Sequence, residues 1–248
     1  MLLTMKKFLL SRRQILFGLC AFLVVGPLAL LADAPVQAPI RVACVGDSIT
    51  YGAGLKDRHN DAYPVWLGRW LGSGYDVRNF GHSGATLLQK GNLPYIKQKQ
   101  YEETLAFKPD VVVIMLGTND SKHHVPNQAD TNDVVDNWQF KADFVPDYEA
   151  LIAEFRTANP SAKIYVCYPT PCYPGQWGID DDTIHHEIIP MVDQIANKSD
   201  AKVIDMYKPL SDKKDLFPDT VHPNDKGAKL MAAVVYQALT DKKAPANE

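Results

Sequence analysis

A serine hydroxyl is a poor nucleophile at neutral pH, and acyl transfer to it requires an imidazole that takes its proton and a third group that orients the imidazole. Ser48 stands in VACVGDSITYGAG, Val42 to Gly54, where an apolar run breaks at Gly46 into small and polar residues. The G-x-S-x-G elbow would need glycine at 46 and 50, and position 50 is threonine. Taken alone, the stretch also suits a serine that caps a helix or closes a turn. Far downstream, FPDTVHPNDKG sets Asp219 three residues before His222. That spacing lets the carboxylate fold back onto Nδ1 and leaves Nε2 to face Ser48, which fixes the tautomer a general base needs. A developing oxyanion also needs donors set in advance, and the amides of Ser48 and Gly84 with the side chain of Asn119 are the candidates. Activity is then expected to fall as His222 becomes protonated, because an imidazolium cannot accept the serine proton.

These residues can meet only if the chain brings them to one place. Short β-branched runs at Ile40 to Gly46, Tyr75 to Gly81, Asp110 to Gly117, Lys163 to Pro169 and Lys202 to Tyr207 read as five strands. The third and fourth are nearly continuously apolar, as parallel strands covered on both faces are. Helical patterns fall at Tyr63 to Leu71, Pro146 to Thr157, Thr183 to Asn197 and Asn224 to Leu239. The alternation predicts a three-layer, doubly wound α/β domain with a five-stranded parallel sheet in flavodoxin-like order 2-1-3-4-5. In such sheets ligands bind beyond the carboxyl ends of the strands. GDS follows strand one, NFGHSGAT runs out of strand two, LGTND ends strand three and the Asp219–His222 loop follows strand five, so all four should gather on one edge.

Asn119 and Asp219 have plainer readings as turn residues, and Asp47 and Asp120 are expected to brace loops rather than react. His123-His124 and His185-His186 are not completed by a cysteine or carboxylate pattern, and adjacent histidines tend to diverge, so neither a metal nor any other cofactor is expected. His82, His123, His124 and Trp177 are instead candidates to line a substrate cleft.

The chain has 248 residues and a formal net charge of −3 with no long run of either sign, which speaks against nucleic acid as a partner. Lys6, Lys7, Arg12 and Arg13 precede the apolar ILFGLCAFLVVGPLALLA, and ADA at Ala32 to Ala34 offers a cleavage site. This reads as an export segment over residues 1–34, leading to the periplasm or beyond the cell, with an uncleaved membrane anchor as the alternative. One domain is expected over 40–242, with a frayed tail at 243–248. Beyond the leader lie Cys44, Cys167 and Cys172, an odd number that cannot pair completely; a Cys167–Cys172 bridge remains open.

In order and spacing, GDSI at Gly46 to Ile49, NFGHSGAT at Asn79 to Thr86, GTND at Gly117 to Asp120 and DTVHP at Asp219 to Pro223 resemble the GDSL, or SGNH, hydrolase family. Isoleucine for leucine in the first motif is a conservative departure. The resemblance implies a serine hydrolase of carboxylic esters, with Ser48 as nucleophile, His222 as base and acid, Asp219 as its orienting carboxylate, and Ser48, Gly84 and Asn119 as the oxyanion hole. Gly81 is the rival for the glycine; Gly84 is preferred because it directly precedes Ala85-Thr86, where the family's glycine usually sits. The family includes carbohydrate esterases, lysophospholipase-like lipases and arylesterases. The polar insertion SKHHVPNQADTNDVVDNWQF and the aromatics of PCYPGQW, Tyr173 and Trp177, suit a short acyl group, such as acetyl, on a small-molecule or polysaccharide sugar ester. Two alternatives remain: a lysophospholipase, arylesterase or thioesterase-like specificity, and a non-catalytic glycan-binding or structural surface protein.

Overall fold

The computed structural model describes residues 38–123, 135–174 and 177–246. The expected export segment and His124 lie outside the described residues. Five strands form one sheet, β1 (Ile40–Gly46), β2 (Tyr75–Gly81), β3 (Val111–Met115), β4 (Lys163–Cys167) and β5 (Lys202–Ile204), all parallel and in the order β2-β1-β3-β4-β5. The expected order is the observed one. Around the sheet run α1 (Ser48–Tyr51), α2 (Arg58–Asp61), α3 (Tyr63–Leu71), α4 (Lys99–Phe107), α5 (Phe144–Ala158), the single turn α6 (Asp181–Thr183), α7 (Ile189–Lys198) and α8 (Asp225–Thr240). Among the described residues no helix is long and apolar enough to cross a membrane.

Strand alternation sorts the core into two faces. Ala43, Val45, Val112, Ile114, Ile164 and Val166 pack with Leu151 and Phe155 of α5 and Val192 and Ile195 of α7. Val42, Cys44, Val113, Met115, Tyr165 and Cys167 pack with Tyr63 and Leu67 of α3 and Met231 and Val235 of α8. Helices thus cover both faces, which is why β3 is buried at every position. Each fully buried Val, Leu, Ile or Phe stabilises the fold by about 1.5–3 kcal/mol before chain entropy is counted.

Three features depart from expectation. Helix α4, which crosses from β2 to β3, was not legible: only Thr104 in it is fully buried, and Gln98 before it makes no capping bond. β5 stops at Ile204 rather than Tyr207, because the Asp205 carboxylate accepts from the amides of Tyr207 and Lys208 and turns the chain. The helix expected over Thr183 to Asn197 opens into a π-turn at Ile184–Ile188 before α7. Pro190, in the first turn of α7, has no N–H to return to the preceding turn, and the wider hydrogen-bonding pattern absorbs that loss. Residues 241–246 have no regular structure, although Ala244 packs against the α3–α8 face.

Candidate active site

Ser48 opens α1 directly after β1. The preceding Asp47 caps that helix, its Oδ1 accepting from Ile49 N at 2.9 Å. From the second strand, Asn79 Nδ2 donates to Thr50 O at 2.7 Å, and Gly81 lies so close that a Cβ there would sit 2.3 Å from Tyr51 N. The end of β2 therefore braces the serine turn, a role for Asn79 that sequence reasoning missed.

His222 arrives from the loop between β5 and α8. Its Nε2 is 2.8 Å from Ser48 Oγ, and its Nδ1 is 2.7 Å from Asp219 Oδ2. Asp219 Oδ1 accepts from His222 N at 2.7 Å and Val221 N at 3.1 Å, so one carboxylate holds both the ring and the turn that carries it. Burial pushes the Asp219 carboxyl up, but the His222 and Val221 amides and the imidazole outweigh it and hold the group below its usual range. Between them Thr220 adopts φ 76°, a left-handed conformation that β-branched residues rarely take. Its N–H donates to Phe217 O and its carbonyl accepts from Tyr173 N, which pins the strained residue at both ends.

Asn119 reaches the same edge from the loop after β3. Its Nδ2 donates one hydrogen to Ala85 O at 3.1 Å, which leaves the second for a ligand. The rival glycines separate here. Gly81 N–H is already given to Asn79 Oδ1 at 2.9 Å, whereas Gly84 N–H has no acceptor among the described residues and Gly84 takes φ 82°, which glycine adopts freely. Ser48, as the first residue of α1, likewise has no intrahelical acceptor for its amide. Asp120 ties the two loops together, accepting from Leu87 N and Leu88 N, and Asn137, also missed in the sequence, donates to Asn119 O at 2.8 Å and accepts from Asn92 N.

Two carboxyls beneath this edge are fully buried. Burial raises Asp47 to about 6 and Asp120 to about 7, against the opposing pull of their amide bonds. Asp47 Oδ2 and Thr118 Oγ1 are both buried without a hydrogen-bond partner among the described residues. Lys122, lowered by its own burial, is the nearby cation.

The candidate cleft residues divide. Trp177 stands edge-on to His222, ring centroids 5.2 Å apart, with 48% of its surface exposed. The His82 ring is instead bound to Gln100 of α4 at 3.1 Å, and the His123 ring to Ser121 O at 3.1 Å. Adjacent histidines were expected to diverge, yet His185 and His186 have ring centroids 4.6 Å apart, because the π-turn reduces the angle between successive side chains. Among the described residues no cluster of three or more His, Cys, Asp or Glu is placed to hold a metal. Cys44, Cys167 and Cys172 are all buried and free, and burial pushes Cys44 and Cys172 up to about 12.

A parallel α/β sheet that presents a serine, an imidazole and a carboxylate in hydrogen-bonded series at its carboxyl edge defines a domain of the serine-hydrolase kind. The chain matches the GDSL-like lipase/acylhydrolase family over residues 44–230 and belongs to it. It is 39% identical over 224 residues to an acetylxylan esterase of Xylanibacter ruminicola, covering 83% of this chain and 44% of that protein, so it spans less than half of this relative's length. Its fold is shared with a lipase/acylhydrolase from Enterococcus faecalis, with a TM-score of 0.62, 22% identity and coverage of 84% of this chain and all of that one. A carbohydrate acetylesterase from Sinorhizobium meliloti superposes with a TM-score of 0.60 at 18% identity, covering 82% of this chain and 99% of the other.

Proposed function

We propose that this protein is an exported serine esterase that removes acetyl groups from a carbohydrate. The observation that carries the proposal is the unbroken series from Ser48 Oγ through His222 to Asp219, at 2.8 and 2.7 Å. Ser48 Oγ attacks the ester carbonyl carbon while its proton passes to His222 Nε2, and Asp219 holds the resulting imidazolium in place. The amides of Ser48 and Gly84 and the second Nδ2 hydrogen of Asn119 stabilise the oxyanion. Collapse of the tetrahedral intermediate breaks the bond to the sugar oxygen, which takes the proton from His222 and leaves as a hydroxyl; water, giving a proton to His222, then attacks the acetyl-enzyme, and the proton returns to Ser48 Oγ as acetate leaves. Export is supported by the basic residues and apolar run at the front of the chain.

The sugar ester is supported by Trp177, whose exposed ring beside His222 offers an apolar face to a sugar, and by similarity to the acetylxylan esterase. Wild type and Ser48→Ala, assayed on acetylated xylan and on p-nitrophenyl esters from acetate to octanoate, test the proposal. Release of acetate by the wild type alone, with acetate preferred over octanoate, is expected. A strong preference for octanoate would overturn the acetyl-ester assignment, and equal activity of Ser48→Ala would overturn the mechanism.

A further inference from the structure

Beyond the serine site, the carboxyl edge of the sheet carries a second cleft of about 330 Å³, between the loop Pro171–Pro174 after β4 and the chain after β5. One wall is a flat pair: the His185 ring stacks on Tyr207, centroids 4.9 Å apart and planes 11° from parallel. Tyr207 is fixed beneath it, its hydroxyl donating to Asp181 Oδ2 at 2.7 Å, while Asp181 Oδ1 accepts from Cys172 N at 2.9 Å. His185 itself is exposed, and neither of its ring nitrogens has a hydrogen-bond partner among the described residues. Asp182, paired with His186 at 3.0 Å, sets a carboxylate at the rim beside Asp181; no lysine or arginine is among the lining residues described, although Lys214 Nζ stands 6.0 Å from the centroid of the Tyr173 ring.

A rigid flat ring with free nitrogens, an apolar facing wall from Pro171 and Pro174, and a carboxylate rim together match the chemistry of a neutral sugar. Ring C–H faces pack on aromatic surfaces, and sugar hydroxyls donate to carboxylates and exchange bonds with imidazole nitrogens. The negative rim disfavours uronic acids and phosphorylated sugars. The cleft adjoins the loop that carries His222. Tyr173 of its lining donates through its backbone to Thr220 O in the Asp219–His222 loop, and the same segment ends at Trp177 against His222. Tyr173 and Trp177 are four residues apart, hence at most about 14 Å between Cα atoms, which a short oligosaccharide can bridge.

We infer that this cleft is a distal subsite that holds unacetylated neutral sugar units of the same polymer chain whose acetyl ester is cut at Ser48. The inference rests on the sugar-ester reading above and adds that the enzyme acts on polymers rather than on isolated monosaccharides. Its test begins with binding of xylohexaose to Ser48→Ala, followed by calorimetry and by chemical-shift changes, with hexagalacturonic acid as the charged control. Xylohexaose is expected to bind and hexagalacturonic acid not to. Adding His185→Ala should weaken xylohexaose binding about three- to tenfold, the loss of one aromatic contact.

In the otherwise wild-type enzyme, His185→Ala should lower kcat/KM on acetylated xylo-oligosaccharides by a similar factor, through KM. The rate on p-nitrophenyl acetate, too small to reach the cleft, serves as the internal reference. Equal loss on both substrates would show that His185 merely supports the fold, and absence of xylohexaose binding would overturn the subsite. Binding at the cleft by an enzyme that releases no acetate from xylo-oligosaccharides would sink the substrate assignment and leave the subsite standing.

Discussion

Replacing Asp219 by asparagine tests the site at its least visible member. The side chain now makes three bonds, two from Oδ1 to the His222 and Val221 amides and one from Oδ2 to His222 Nδ1. Asparagine keeps the first two through its carbonyl oxygen, and its NH2 then occupies the Oδ2 position 2.7 Å from Nδ1. Two donors cannot face each other at that distance, so the ring proton moves to Nε2, 2.8 Å from Ser48 Oγ. The imidazole then offers the serine a hydrogen rather than a lone pair. The same change in a serine-protease triad costs about 10⁴ in turnover, roughly 5 kcal/mol of barrier, and a similar loss of kcat on p-nitrophenyl acetate is expected here.

Stability should hardly change, because the turn keeps its backbone bonds and the carboxylate is 36% exposed; a loss of about 1 kcal/mol would move Tm by about 2–4 °C. The sign of the pH effect follows from the lowered Asp219 carboxyl. Its bonds stabilise the fold above the ordinary carboxylate range and are lost as pH falls through its folded value, so the Tm gap between wild type and Asp219→Asn should close in acid. A folded Asp219→Asn enzyme with kcat within tenfold of wild type would refute the tautomer assignment.

Asn119→Ala should reduce kcat by about 10²–10³ with little change in KM, since its free amide hydrogen meets the substrate oxygen only as charge develops; a raised KM at unchanged kcat would assign it to ground-state binding instead. Asp47→Asn keeps an oxygen for Ile49 N while removing a buried charge. Because Asp47 is raised to about 6, its contribution is present below the ordinary carboxyl range and lost as pH rises through about 6, so the substitution should raise Tm at pH 8 and leave it unchanged at pH 4. About 3 kcal/mol is at stake, and an unaltered Tm at pH 8 would mean the carboxyl is not confined as described. Thr220→Gly should stabilise by about 1 kcal/mol in urea unfolding, the relief of left-handed strain less the added chain entropy. A net destabilisation would show that the threonine side chain contributes packing that outweighs its backbone strain.

The ends of β1, β2 and α3 were legible because a glycine closes each of them, at Gly46, Gly81 and Gly72, and the sheet order because the inner strands β1 and β3 are apolar runs covered on both faces. Ser48 could be found because it lies just past β1, and Asp219 and His222 because their three-residue spacing falls in the loop that leads into the last helix. Helix α4 was hidden because its buried face is thin. Asn79, Asn92 and Asn137 were hidden for another reason: their bonds link segments distant in sequence, and such an asparagine looks like any strand-end or turn residue until its partners are known. The pairing of His185 with Tyr207 depends on a π-turn that only the position of Pro190 hints at.

The hydrogen bond from Ser48 to His222 joins residues 174 positions apart, the turn after the first strand to the loop before the last helix. Closing so long a loop costs roughly 4–5 kcal/mol of chain entropy, more than one such bond returns. The contact can therefore form only after the intervening strands and helices have docked. The Ser48–His222 pair is thus a late contact, one that depends on the placement of every element between β1 and α8. A chain that ends before Asp219 carries Ser48 with neither the imidazole nor its carboxylate beside it.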